Sequence, residues 1–282
     1  MRRAVVREEA RETHEFGWFL PREHGATAML LTPIVCAAIL AREWRWCELA
    51  TLTAAFAALA VKDPIVVLGR QRFVWKQWHP ETAAAVRWLI AWMVVLILSG
   101  LVLLTAGPFK AFVAMGLGVG AFSALAIAVT VKNRQRSTLF QIASAAALTS
   151  SSLATSLSAT GAIAPWCWGL WLLMAMQSTA GILVVHARLD ARIALRGAGP
   201  ATHRFRRAAQ VALIALACTA VAAAILVRGW IALALLLAVT GYGYDLHGQR
   251  DPATLQIPLK KVGQRALALS SLFAGLLILG FW

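Results

Sequence analysis

The sequence predicts an all-α protein, a polytopic integral membrane bundle of about nine transmembrane helices. Three observations predict it. Hydrophobic residues make up 60% of the 282 and charged residues only 14%, whereas a soluble domain carries about a quarter charged. Apolar runs near the ~20 residues that a helix needs to cross the hydrocarbon recur along the whole chain. The basic residues, which give a net charge of +15, fall in short bursts between those runs. A nucleic-acid domain would gather them on one folded face, so no nucleic-acid partner is expected.

Residues 1–20 mix acids and bases and contain no apolar signal-peptide core. They read as a short cytoplasmic segment ahead of a single transmembrane domain, 21–282. The first span, 24–41, opens on "PREHG". Pro21 suits a first helical turn, and Glu23 sits at the positive end of the helix dipole. The second span, 46–69, contains Asp63 followed by Pro64. Aspartate is an N-cap residue and proline an N1 residue, so this helix is expected to kink or restart there. The third and fourth spans, 84–106 and 109–131, are almost uniformly apolar. Gly116, Gly118 and Gly120 give the fourth a small-residue stripe suited to close helix approach. The fifth, 138–160, is rich in Ser and Thr. Its hydroxyls, Ser150, Ser151 and Thr155 among them, either pack against neighbours or line a wet cavity. The remaining spans are 165–187, 205–227, the short 229–245, and 262–281.

Charge distribution orients the bundle. With the N-terminus in the cytoplasm, the inner segments hold 21 of the 27 Lys and Arg residues and the outer segments hold four, Arg42, Arg45, Lys110 and Arg228. That split follows the positive-inside pattern of the bacterial cytoplasmic membrane. An odd span count then puts the C-terminus outside. Trp44, Trp46, Trp166, Trp168, Trp230 and Trp282 fall near the outer boundary, as an aromatic belt does. Cys36, Cys47, Cys167 and Cys218 lie far apart in or beside apolar segments and read as packing residues.

Two short echoes suggest duplication. "VVLGRQR" at 66–72 resembles "VVHARLD" at 184–190, and "AVT" closes both the fourth and the eighth spans. The reading is two parallel four-helix halves plus one helix, with a site between the halves as in other repeat-built membrane proteins.

Ionisable residues near hydrocarbon are costly, so each is a candidate. Arg22 and His24 begin the first span, Asp63, Arg70 and Arg72 end the second, and His186, Arg188 and Asp190 end the sixth. Each set also makes an adequate interfacial anchor. Together they suit an anionic head group, a phosphate or a diphosphate. His24 and Asp63 are the candidate proton-transfer groups. No metal-ligand spacing, GxSxG, HExxH or phosphate-binding glycine loop occurs.

The segments "PREHGATAMLLTP", "KDPIVVLGRQR", "VVHARLDAR" and "LKKVGQRALALSSLFAGLLILGF" resemble the YwiC-like membrane protein family, in order from residue 21 to the C-terminus. Thr27 departs from it, standing where tryptophan is common. A more distant architectural likeness is to the UbiA-type intramembrane prenyltransferases, whose two aspartate-rich motifs hold Mg²⁺ and a prenyl diphosphate. That likeness implies a UbiA-like bundle with Asp63 and Asp190 at the corresponding ends. Two lone aspartates are too few oxygen ligands for Mg²⁺, so no cofactor is expected. The functional expectation is an anionic amphipathic lipid or isoprenoid phosphate, bound in a cytoplasm-facing cavity by Arg22, His24, Asp63, Arg70, Arg72, His186, Arg188 and Asp190. The alternatives are a small-solute or lipid transporter and a structural partner in a membrane complex.

Overall fold

Each predicted apolar run is helical in the computed structural model, which describes residues 24–132, 137–197 and 203–282. Eleven α-helices occur among them, in order: α1 (His24–Ala41), α2 (Trp46–Gly69), α3 (Thr82–Ala106), α4 (Phe109–Val131), α5 (Thr138–Thr149), α6 (Ser151–Thr160), α7 (Pro165–Leu195), α8 (Arg204–Ile225), α9 (Gly229–Gly248), α10 (Pro252–Leu255) and α11 (Leu259–Phe281). A π-helical segment, Arg70–Trp75, continues α2. With its backbone bonds closed inside helices, such a chain can lie in hydrocarbon.

Among the described residues seven helices, counting α2 with its π segment, are long and apolar enough to cross a membrane: α2, α3, α4, α7, α8, α9 and α11. The other two predicted spans differ in form. α1 is apolar but shorter. The Ser/Thr-rich fifth span divides at Ser150 into helices of 12 and 10 residues. The protein is a multi-pass helical membrane bundle.

The chain falls into two compact units, residues 1–27 with 49–135, and residues 28–48 with 136–282. This division departs from the echoed halves, because α1 beyond Thr27 groups with the later helices.

The first unit contains most of α2, the π segment, α3 and α4. α2 runs through Asp63–Pro64 as continuous helix. Pro64 lacks an N–H and leaves one carbonyl of the preceding turn without its partner. That loss does not restart the helix here, and the irregular turn comes later, at Arg70. Phe56 meets Trp92 edge-on at 5.7 Å, and the Thr53 and Ser99 hydroxyls lie 3.0 Å apart, joining α2 to α3. At the other end Arg70 donates to the Thr130 carbonyl of α4 at 3.0 Å. Between α3 and α4, a Cβ on Gly107 would lie 2.5 Å from the Phe112 ring, so a larger residue there would displace that ring. The exposed faces of α3 and α4 are apolar, as lipid contact demands. Gly116, Gly118 and Gly120 meet no neighbour: a Cβ on any of them would have nothing within 4 Å among the described residues.

The second unit has the denser core. Leu170, Leu216, Leu235, Phe273 and Leu277 from α7, α8, α9 and α11 are wholly buried. The α5–α6 hydroxyls pack. Ser151 donates to the Leu30 carbonyl of α1 at 2.9 Å, Thr155 to Ser151 at 3.0 Å, and Ser152 to Thr149 at 3.0 Å. Trp171 donates to the Ala146 carbonyl at 2.9 Å, one turn before the break. Hydroxyls that bond back to backbone carbonyls weaken a helix, which accounts for the division at Ser150. At the far end of α11, the Arg42 guanidinium lies over the Trp282 ring at 4.0 Å.

Candidate functional site

The eight residues singled out by sequence separate into three groups. Arg22 lies outside the described residues. His24 is the first residue of α1, and its side chain is outside them too. Asp63, Arg70 and Arg72 belong to the first unit, and His186, Arg188 and Asp190 to the second.

In the first unit the π segment sets the geometry. A π turn carries more residues per turn than an α-helix and rotates the side chains beyond it to a new face. Arg70 turns to the Thr130 carbonyl of α4. Arg72 is exposed and stands at an open groove of about 510 Å³. Ile65, Leu68 and Phe73 form one wall, and Val86 and Leu89 the other. Trp78 and Thr82 close its end. The lining is apolar except for Arg72 and the Thr82 hydroxyl. Asp63 is half-buried and is not part of the lining. It precedes Arg72 on one helix by nine residues, roughly 13 Å along the axis.

The two walls are tied by a clasp that the sequence did not advertise. Gln71, 1% exposed, accepts the Thr82 hydroxyl on Oε1 at 2.6 Å. Its Nε2 has no hydrogen-bond partner among the described residues. It lies between two arginines in "GRQR".

In the second unit α7 runs eight residues past its predicted end, to Leu195. Its 31 residues span about 46 Å, against a hydrocarbon thickness of ~30 Å. His186 Nε2 lies 2.9 Å from Gln141 Oε1, and its ring stacks on Phe205 at 5.0 Å. Arg188 is 3% exposed and donates to the Thr254 carbonyl. One turn on, Arg192 donates to Leu255 at 2.5 Å and to Ile257 at 2.8 Å. One turn back, the Val184 carbonyl accepts from Gln249 at 3.1 Å. Positions 184, 188 and 192 share one helix face, and all three fasten the 249–257 segment. Inside it, Asp251 caps α10 by accepting from the Ala253 N–H at 3.0 Å. The arginines meet the carbonyl end of that short helix, where positive charge is favoured. Arg188 and Arg192 therefore act as a clamp. Asp190 is half-buried on the same helix.

Glu48 and Gln177, among the few polar residues that the transporter alternative would draw on, are both buried. Gln177 donates to the Tyr242 hydroxyl at 2.6 Å and to the Ser270 hydroxyl at 2.8 Å, linking α7, α9 and α11 inside the apolar core. A Cβ on Gly181 would sit 2.8 Å from that same Tyr242 oxygen, so glycine admits the tyrosine. Glu48, 3% exposed, lies in the first turn of α2, where the helix dipole favours a carboxylate. A lone polar residue in an apolar span was the available signal for both. Among the described residues, no group of three or more His, Cys, Asp or Glu side chains is placed to hold a metal ion.

The sequence pattern described as YwiC-like protein matches residues 20–156. No curated protein and no solved structure matches the chain. The matched stretch contains "PREHGATAMLLTP" and "KDPIVVLGRQR", all of α1 to α5, and every residue of the groove, while the α7 clamp lies beyond it. Residues 20–156 are thus similar to the YwiC-like family.

Proposed function

We propose that the protein binds an anionic amphipathic lipid, an isoprenoid phosphate among the candidates, in the groove between α2 and α3. One observation carries this reading: an apolar groove of about 510 Å³ has one charged residue, Arg72, in its lining. The volume falls in the range of small-molecule sites, ~300–1,000 Å³. An apolar trough takes a hydrocarbon tail, and arginine takes a phosphate by paired N–H donors. Phe73, Trp75 and Trp78 are exposed beside it, as aromatic residues are at a membrane–water interface. The basic-residue bias supports an N-terminus inside the bacterial cytoplasmic membrane, with the groove's head-group end on that side.

Asp63 is poorly placed to transfer a proton to a head group held by Arg72, since ~13 Å of helix separates them. The reading is thus binding, and it does not depend on transferase chemistry of the UbiA type. The test is native mass spectrometry of protein extracted in mild detergent, with Arg72→Ala beside Arg228→Ala as a control. Wild type and the control should retain an anionic lipid that Arg72→Ala loses. Equal retention by all three would exclude the groove as the lipid site.

A further inference from the structure

α11 begins against the electrostatics of a helix end. The first turn of a helix is its positive pole and favours acids. Yet α11 opens with Lys260 and Lys261, carries no acid along its length, and follows Pro258 with no side-chain cap. One turn beyond Lys261 stands Arg265.

The surrounding protein does not neutralise this charge. Arg265 is exposed, and no hydrogen bond or ion pair with the described residues takes up its guanidinium. Asp245 of α9 is the carboxylate in electrostatic reach, and Arg265 shares it with Arg188. Arg188 in turn interacts electrostatically with Arg192 and Arg265, so three guanidiniums stand around one carboxylate. The carbonyls that hold Arg188 and Arg192 satisfy N–H groups and leave the positive charge in place.

The same helix face then turns apolar. Lys261, Arg265, Ala268, Leu272, Gly275 and Leu279 recur at helical spacing, and all are exposed. A Cβ on Gly275 would meet nothing within 4 Å among the described residues, so none of them covers the stripe there. From Arg265 to Gly275 the helix rises roughly 15 Å, the depth of one leaflet. A cationic end continued by an apolar strip of that depth matches a lipid, head group first. An acidic soluble partner would meet the cations and leave the strip to hydrocarbon.

We infer that Lys261 and Arg265 form a further lipid site, in the second unit, which takes an anionic phospholipid by its phosphate. Arg265 engages two phosphate oxygens by paired N–H donors, and Lys261 adds a point charge one turn away. An acyl chain lies along Ala268 and Leu272. A zwitterionic head group would bring a cation into a place already in positive excess, so the site selects a net negative one.

The test uses the full chain in detergent with Arg72→Ala as the parent, so that the groove does not contribute. It is titrated with phosphatidylglycerol, phosphatidylcholine and phosphatidylethanolamine of equal chain length, and native mass spectrometry reads the bound lipid. The parent should prefer phosphatidylglycerol over phosphatidylcholine by about thirtyfold, the worth of two cations near a membrane surface. Adding Lys261→Gln and Arg265→Gln should make the two lipids bind equally. Adding Arg196→Gln and Arg207→Gln instead, which removes the same charge from exposed positions on α7 and α8, should leave the preference intact. If the α11 variant keeps the preference, or the parent shows none, the inference is overturned. If the control loses as much as the α11 variant, net charge alone attracts the lipid and the site is again overturned. A preference for phosphatidylethanolamine would make Asp245 the acceptor of its ammonium group and overturn the selection for net negative charge. None of these outcomes bears on the groove, which stands or falls by Arg72→Ala against wild type.

Discussion

Two helix ends in this molecule carry similar residues and use them in opposite ways. The second span closes on Arg70-Gln71-Arg72, and α7 carries Arg188 and Arg192 near its end. On α7 both guanidiniums are taken up by carbonyls of the 249–257 segment. On the π segment, Arg70 is similarly turned to a carbonyl, but Arg72 stands exposed beside an apolar groove. An arginine at a membrane edge is therefore not informative by type or depth. What decides its role is whether the chain brings it a backbone acceptor.

The largest expected effect tests that contrast directly. Replacing both Arg188 and Arg192 by Ala removes three charged hydrogen bonds to carbonyls and should cost about 3 kcal/mol of stability. The 249–257 segment should become a site of proteolytic cleavage, while lipid retention in the groove stays intact. Arg72→Ala should do the reverse, with stability changed by less than about 0.5 kcal/mol and the lipid lost. Thermal unfolding and limited proteolysis on the two variants decide it. Unchanged stability in the α7 double variant would mean the clamp carries no weight.

A smaller effect is expected where the two units bury neutral polar groups. Gln177 feeds both of its N–H donors to hydroxyls on two other helices. Gln177→Leu removes both bonds, while the Tyr242 hydroxyl keeps its bond with Ser270. Hydrogen bonds between membrane helices average ~0.6 kcal/mol, so the loss should be about 1 kcal/mol. In the first unit Thr53→Val removes one hydroxyl pair with Ser99, and Ser99 keeps its own bond to the Val95 carbonyl. The cost there should be near 0.5 kcal/mol. Equal unfolding shifts for the two variants would erase the distinction between a convergent polar centre and a single pair.

These contrasts also show what the sequence could disclose. The apolar runs were legible because run length and hydropathy are local properties, and the boundaries of α2 and α4 agree with expectation to the residue. The break at Ser150 was hidden, because a run of Ser and Thr does not say which hydroxyls bond back locally and which, like Ser151 to Leu30, reach 121 residues away. Asp63–Pro64 looked like a restart since both residues favour one, yet α2 continues through it despite the bond that proline cannot make. Arg188 was found by type and its role was not, because its partner carbonyl lies 66 residues later in a turn with no signature of its own. The Gln71–Thr82 contact was hidden for a related reason: it exists only once α3 is laid beside α2.

The smallest effect is expected in α4, whose glycine stripe reads as a packing motif. Small residues let membrane helices approach closely, yet a Cβ on Gly118 would meet nothing within 4 Å. The face is bare apolar surface in the first unit, so Gly118→Leu should not clash. Replacing glycine inside a helix gains about 0.5–1 kcal/mol, and the unfolding temperature should rise slightly, with no change of mass in detergent by light scattering. In the second unit Gly280→Leu should do the opposite, because a Cβ there would lie 2.5 Å from Ile231 Cγ1 and 3.1 Å from its backbone nitrogen. A loss of stability or of self-association in Gly118→Leu would show that another helix covers the stripe, and α4 would then have to be counted with the packed helices, not the lipid-facing ones.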